Sequence, residues 1–380
     1  MGSYVVPFIN YSRMHNLHGI EYLNAIRRCL FDGDLIYRSD LIKFESTFSS
    51  FCDCKYGIGT GSCSNALYIA LKALQIGPGD KVITVAHTFV ATVDAIVSCG
   101  AVPVLVDINE HDMLMNMDEV EKAITPRTKA IIPVHLNGRM CDMDRLAEIV
   151  KDKHIHIIED AAQAPGATFN DKKAGSFGDC GCFSFYPAKV LGSFGDGGMI
   201  TTNDSALYKK LMLLRSHGEY PPYVQSDSNK PIYRWGFHTR LDNVAAAYLN
   251  VKMEYLGQNI RRRYHIAGIY RLRLMLPEII NPPGRRSNGL ECEGEVWQNY
   301  VIRLDSMGTR DALKSHLERN GVETMISWPV PIHEQPALNL DISLPVTERV
   351  SKTCLSLPLY PELTAEEVEY VIKATKSYFK

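Results

Sequence analysis

The chain has 380 residues, 46% hydrophobic and 22% charged, ordinary values for a globular protein with room for one large domain and a smaller one. Its 41 basic and 43 acidic side chains leave a formal charge of −2, so no global field draws it to nucleic acid or to an anionic membrane. No charged n-region with an apolar stretch opens the sequence and no long apolar run follows, so a cytoplasmic protein without a membrane span is expected.

The first twelve residues attach to no obvious domain, and helical spacing sets in around Glu21–Leu30. The stretch Gly57–Asn65 is rich in glycine and serine and leads into a helix expected to start near Ala66, where Leu67, Ala70, Leu71 and Leu74 share one face. Four short β-branched runs follow, at Lys81–Ala86, Val102–Ile108, Lys129–His135 and His154–Asp160, with a helical pattern over Met143–Val150 between the last two. This alternation predicts βα units on a largely parallel sheet. Past residue 256 the texture changes to a long Arg-rich helix reaching about Leu276 and a Pro282–Pro283–Gly284 loop. A strand over Val296–Leu304, a helix over Thr309–Asn320 and a last helix from about Thr364 complete the chain. The expected division is a large α/β domain over 13–255 and a small α+β domain over 256–380. The basic clusters Arg261–Arg263 and Arg285–Arg286 read as a solvated helix face and a loop.

Ten cysteines include the C-x-C pairs Cys52/Cys54 and Cys180/Cys182, which lack the two-residue gap of redox and zinc motifs. Neither a disulfide framework nor a metal site is expected. Cys180 and Cys182 fall in a strand-like run, where alternation puts both thiols on one face.

Ligands of open α/β sheets sit beyond the carboxyl ends of the strands, and three segments place polar residues there. Ser62–Cys63–Ser64 precedes a helix, where backbone N–H groups and the helix dipole can hold a phosphate. In isolation this is equally a glycine-rich turn with a serine N-cap. Glu159–Asp160 ends a buried apolar strand, with one carboxylate directed to each face. A buried carboxylate is costly unless a cation meets it, and a protonated pyridine nitrogen would serve; a helix N-cap aspartate is the other reading. At roughly 4 Å and an effective dielectric near 20 the attraction is on the order of 4 kcal/mol. The third segment runs from Ser184 through Tyr186–Pro187–Ala188 to Lys189 and on into Gly192–Gly198. A desolvated lysine with a depressed pKa forms Schiff bases. Phosphate cradle, pyridinium partner and imine lysine together point to pyridoxal phosphate far more specifically than any one of them.

These segments, with Gly77–Pro78–Gly79–Asp80, His87–Thr88–Phe89–Val90–Ala91–Thr92, Glu159–Gln163, Phe183–Lys189 and Arg240–Leu241–Asp242, resemble the DegT/DnrJ/EryC1/StrS family of sugar aminotransferases over nearly the whole chain. The resemblance implies the aspartate-aminotransferase-like fold of pyridoxal-phosphate transferases, a large mixed-sheet α/β/α domain with a smaller C-terminal α+β domain. It implies that Lys189 carries the cofactor, Asp160 pairs with its ring nitrogen, Phe89 stacks on the ring and Gln163 lies near the ring oxygen. Ser184 and the Ser62–Cys63–Ser64 turn are implied for the phosphate. The reaction implied is ping-pong transfer from glutamate to a nucleotide-linked keto sugar by a homodimer, in amino-sugar biosynthesis such as that of lipopolysaccharide or O-antigen.

Three segments depart from the family pattern. The family's Asn that reaches the partner subunit's cofactor phosphate is His238 in Gly236–Asp242, which could still donate a hydrogen bond or be a packing histidine. The family's H-Y-P is Ser327–Trp328–Pro329, and its L-Y-G-Q is Leu136–Asn137–Gly138–Arg139. Ser327, Trp328 and Asn137, in the departing segments, and Arg240, in a matching one, are the residues expected to meet substrate. Related dehydratases carry histidine where Lys189 stands, and a desulfurase would need a mobile reactive cysteine, for which Cys354 looks too much like packed core. A cofactor-retaining regulator without turnover is the reading from another class. The string Lys189–Val190–Leu191–Gly192 with Gly195–Asp196–Gly197–Gly198 resembles the branch that acts at C3 of dTDP- or UDP-linked 3-keto hexoses.

Overall fold

The computed structural model describes residues 4–219, 231–283, 294–338 and 340–380. Among them a seven-stranded mixed sheet organises the chain, built from β1 (Tyr56–Thr60), β2 (Lys81–Val85), β3 (Val102–Val106), β4 (Thr128–Ile131), β5 (His156–Asp160), β8 (Cys180–Ser184) and β9 (Gly198–Thr202). The remaining strands are the short hairpin β6 (Thr168–Phe169) and β7 (Lys172–Lys173), and the pair β10 (Tyr300–Arg303) and β11 (Cys354–Leu357). The large sheet has the order β1-β9-β8-β5-β4-β2-β3. Pairing is parallel from β3 to β8, whereas β9 runs antiparallel to both β8 and β1. The carboxyl ends of β1, β2, β4, β5 and β8 therefore open on one edge.

Alternation along the strands sends their side chains into two cores. Ile58, Val82, Ala130, Ile158 and Ile200 pack with Cys180 and Cys182 on one face. That face is covered by α4 (Cys63–Ala73), α5 (Val90–Ser98) and α8 (Ser205–Arg215). Both thiols of the second C-x-C pair do share one face, and burial pushes the Cys182 thiol up. Ile83, Ile131, Ile157, Phe183 and Met199 point the other way. They meet α2 (Gly19–Asp32), which follows the short α1 (Tyr11–Asn16), together with α3 (Ser39–Phe51), α6 (Met117–Ala123), α7 (Met143–Val150) and the first half of α9 (Asn243–Arg273). The result is a three-layer α/β/α arrangement.

Helix α9 runs unbroken through residues 255 and 256. Its Tyr248, Leu249 and Leu256 belong to the sheet's core, while Ile266, Ala267 and Tyr270 belong to a separate C-terminal core. That core is completed by β10, β11, α10 (Met307–Arg319) and α12 (Ala365–Tyr378), while α11 (Pro345–Thr353) contributes Val350 to the sheet's core. Val6 joins the C-terminal core, bridging to Val322. Thr364 and Glu367 form a reciprocal capping box that starts α12. Nine described cysteines are free and buried, and no described helix is long and apolar enough to cross a membrane.

One surface expectation is corrected. Arg263 is buried, donating from Nη1 to the carbonyls of Trp297, Gln298 and Leu359 at 3.2, 3.4 and 2.9 Å. The C-terminal unit covers that flank of α9, and burial holds the guanidinium down to about 10. Arg285 and Arg286 lie outside the described residues.

Candidate active site

The open strand edge frames a cavity of ≈ 710 Å³. Ser62, Cys63, Ser64, Phe89, Asp160, Gln163, Ser184, Lys189, Ser327 and Trp328 all line it, which brings ten of the expected site residues together.

Its first wall is the end of β1. Ser62 caps α4, accepting the Asn65 N–H at 3.2 Å, so the helix begins at Cys63, earlier than the apolar pattern implied. The N–H groups of the first turn then face the cavity side without a helical acceptor. Thr60 pairs with Gly198 across the sheet, and so does Ser184. A Cβ at Gly198 would lie 2.4–2.7 Å from backbone atoms of Ser62 and Cys63, so the cradle closes only over glycine.

The second wall is the end of β5, where the two carboxylates do face opposite ways. Glu159 is fully buried and accepts His135 Nε2 at 3.0 Å and the N–H groups of Gly175, Phe177 and Gly178 at 2.8–2.9 Å. His135 Nδ1 accepts the Cys141 N–H at 3.3 Å, which fixes the proton on Nε2 and makes Glu159 its acceptor. Asp160 turns into the cavity. It accepts Thr92 Oγ1 at 2.7 Å and the Ala162 N–H at 3.2 Å, and Thr92 in turn accepts from Thr88 at 2.9 Å. Burial pushes the Asp160 carboxyl up, against the downward pull of Thr92, Ala162, Lys189 and His135. A cation placed against it would relieve that cost.

Lys189 stands in the turn after β8, its N–H donating to Tyr186 O at 2.9 Å. Burial lowers its ammonium pKa, and Asp160 and Cys63 partly oppose the shift. Gln163 Oε1 accepts the Asn137 N–H at 2.6 Å, which leaves the Gln163 amide NH₂ as the group free to serve a ligand. Asn137 itself lies behind the cavity lining with a left-handed backbone at φ 58°, a conformation asparagine tolerates. Trp328 takes the same region at φ 49°, strained for a bulky residue by ~1–3 kcal/mol. Its ring meets His87 edge-on at 5.5 Å.

His238 and Arg240 do not reach this cavity. His238 is exposed, accepts Arg240 Nη2 at 2.6 Å and stacks on His217 at 5.2 Å. The lining also includes residues the sequence reading did not assign, among them Thr92, His135, Tyr186, Gln298 and Asn299, with Phe8, Ile9 and Tyr11 from the N-terminal segment. Thr92 had a signal, since Thr88 and Thr92 are one helical turn apart at the end of a strand. Gln298 had none, its partners lying more than a hundred residues away.

A model of the DegT/DnrJ/EryC1/StrS aminotransferase family matches residues 18–376. The chain is 38% identical over 355 residues to the UDP-N-acetyl-3-dehydro-alpha-D-glucosamine 3-aminotransferase of Acidithiobacillus ferrooxidans, covering 92% of this chain and 91% of that protein. It is 37% identical over 380 residues to a pleiotropic regulatory protein of Geobacillus stearothermophilus, covering 99% of each. The solved structure of S. venezuelae DesV in complex with ketimine intermediate matches with a TM-score of 0.91 at 36% identity, covering 98% of each chain. With the family match spanning all but the ends of the chain, this protein belongs to the DegT/DnrJ/EryC1/StrS aminotransferase family.

Proposed function

We propose that the chain is a pyridoxal-phosphate-dependent aminotransferase that carries an amino group from glutamate to a nucleotide-linked keto sugar, at C3 of a dTDP- or UDP-linked hexose. The observation that carries this reading is the convergence of Lys189, Asp160 and the Ser62–Ser64 helix end in one cavity. The three fit the cofactor's parts: an amine for its aldehyde, a buried carboxylate for its ring nitrogen, and a helix N-terminus for its phosphate. When bound, the cofactor supplies an electron-withdrawing ring that stabilises charge at the substrate carbon, and takes up and returns the amino group.

The chain's own residues do the rest. Asp160, oriented by Thr92 and the Ala162 N–H, keeps a proton on the ring nitrogen. Lys189, with its lowered pKa, is a free amine more often than an exposed lysine, so it can attack a carbonyl and then carry a proton at Nζ. The Gln163 NH₂ donates towards the ring oxygen, Phe89 offers a stacking face and Ser184 donates to the phosphate. Ser327, Trp328 and Asn299 form the wall where a sugar would lie.

A homodimer is part of the proposal. Ile20, Leu23 and Phe31 on α2 are 78%, 67% and 81% exposed, an apolar helix surface that favours a partner, and Trp235 is 85% exposed. His238, off its own cavity, then serves the partner's site, as the family resemblance implies for its position, with Arg240 hydrogen-bonded to it. Free buried cysteines fit a reducing cytoplasm.

A lysine at 189 favours amino transfer over dehydration. Position C3 is supported by the Gly195–Asp196–Gly197–Gly198 string and by the 3-aminotransferase named among the relatives. The test is spectroscopic. Protein loaded with pyridoxal phosphate should lose its visible band with glutamate and gain the band of the pyridoxamine form, which 3-keto but not 4-keto nucleotide sugars should reverse. Amination of 4-keto sugars alone would overturn the C3 assignment. No spectral change with glutamate or glutamine would favour the second reading, a cofactor-holding regulator, which the name of the Geobacillus relative supports.

A further inference from the structure

Gln298 lies in the stretch leading into β10, 7% exposed and lining the cavity. Its Oε1 accepts the Val190 N–H at 2.9 Å and its Nε2 donates to Ala188 O at 2.8 Å. These are the residues on either side of Lys189. One carboxamide thus closes on the backbone before and after the lysine, its acceptor on a donor and its donor on an acceptor. Its own peptide N–H donates to Asn137 O at 3.0 Å. Asn137 in turn donates its N–H to Gln163 Oε1 at 2.6 Å and accepts Asn299 Nδ2 at 3.3 Å. A continuous set of hydrogen bonds therefore runs from the Lys189 turn through Gln298 and Asn137 to Gln163.

We propose that Gln298 is a positioning residue that fixes the peptide carrying Lys189 and, through Asn137, aims the Gln163 amide at the cofactor ring. This rests on Lys189 being the cofactor lysine. A lysine has a long flexible stem, so the place of its Nζ depends on how firmly its Cα is held. A misplacement of 1 Å costs on the order of 10²-fold in rate. Only a carboxamide of this length satisfies both flanking groups. Glutamate could accept from Val190 but would set a carboxylate oxygen against the Ala188 carbonyl, and methionine would fill the volume with neither bond.

The experiment uses the cofactor-loaded full chain and its Gln298→Met and Gln298→Glu variants. Borohydride reduction followed by peptide mapping locates the cofactor lysine, and hydrogen exchange reads the Val190 amide. In the wild type we expect the label on Lys189 and a protected Val190 amide. In Gln298→Met Val190 should exchange about tenfold faster, the effect of losing one hydrogen bond, with β8 otherwise protected, whereas Gln298→Glu keeps an acceptor for the Val190 N–H and should leave it protected. The rate of the glutamate half-reaction should fall by roughly ten- to a hundredfold with KM within about threefold. The visible band should titrate at a higher pH in Gln298→Glu than in Gln298→Met. A Val190 amide that exchanges freely in the wild type overturns the proposal without recourse to any variant. So do unchanged exchange and rate in Gln298→Met, an unchanged rate in Gln298→Glu, or faster exchange spread over all of β8 and α9. A wild-type label on a lysine other than Lys189 overturns instead the function proposed above.

Discussion

Asp160 and Glu159 are neighbours in sequence with opposite tasks, and the difference lies in how many donors each meets. Glu159 satisfies four donors in a closed environment, whereas Asp160 meets two and faces the cavity. Asp160→Asn should therefore cost ~2–5 kcal/mol of transition-state stabilisation, read as kcat/KM for glutamate with the fold unchanged by circular dichroism. Near-normal turnover would refute its assignment. Thr92→Val removes the hydroxyl that orients Asp160, a charge-assisted hydrogen bond of ~1.5–3 kcal/mol, so the half-reaction should slow by roughly ten- to a hundredfold. His87 gives a pH signature. Burial pushes its imidazole down to about 4 from an ordinary 6.5. Between those values the unfolded chain binds a proton that the folded chain does not, so stability is lost as pH falls through that window and levels off below it. The gap corresponds to ~3 kcal/mol. Urea titrations from pH 7 to 4 should show this loss, and His87→Phe should flatten the curve. An equal slope in the variant would exclude His87 as its source.

At the level of elements, the phosphate cradle is where β1, β9 and α4 meet, and its tightness rests on one missing side chain. Gly198→Ala would drive a Cβ into the backbone of Ser62 and Cys63, atoms that cannot swing aside. Cofactor affinity should fall by at least about tenfold, since the cradle must shift by more than the fraction of an ångström such sites tolerate. Gly195→Ala, where a Cβ meets nothing within 4 Å, is the control and should bind like the wild type in an equilibrium titration. Comparable losses in both would mean that the loop, not the close approach, governs binding. The sequence showed glycine and serine at these places, but it did not show that Gly198 and Ser62 abut. Likewise the change of texture near residue 256 and the Arg-rich helix beyond it were legible, while the start of that helix at Asn243, in the other core, was not. A 31-residue helix buried nearly all round over Ala245–Asn250, with the polar Asn250, Lys252 and Arg263 among its buried residues, has no clean apolar stripe to read.

For the molecule as a whole, the exposed apolar side chains of α2 and Trp235 are the place to test assembly. Phe31→Glu together with Leu23→Glu should convert the proposed dimer towards monomer in sedimentation velocity. Amino transfer should fall in step with dimer content, because His238 and Arg240 serve a neighbour's cavity under the proposed assembly. A fully active monomer would place the whole site within one chain and reassign those two residues to the surface.

The local sequence determined much of this protein: the β-branched runs, the serine before a helix, the paired acids at a strand end, and a lysine among glycines. Each is decided by short-range rules of propensity, capping and alternation, which act within a few residues and so survive in the sequence. Tertiary structure alone decided which of those pieces meet. Strand order brings the ends of β1, β5 and β8 around one cavity, although they lie some 120 residues apart along the chain. The same long-range packing buries Arg263, leaves His238 and Arg240 off the cavity lining and sets Gln298 across the backbone of Lys189. Those contacts pair residues that have no local relation, so only the folded chain reveals them.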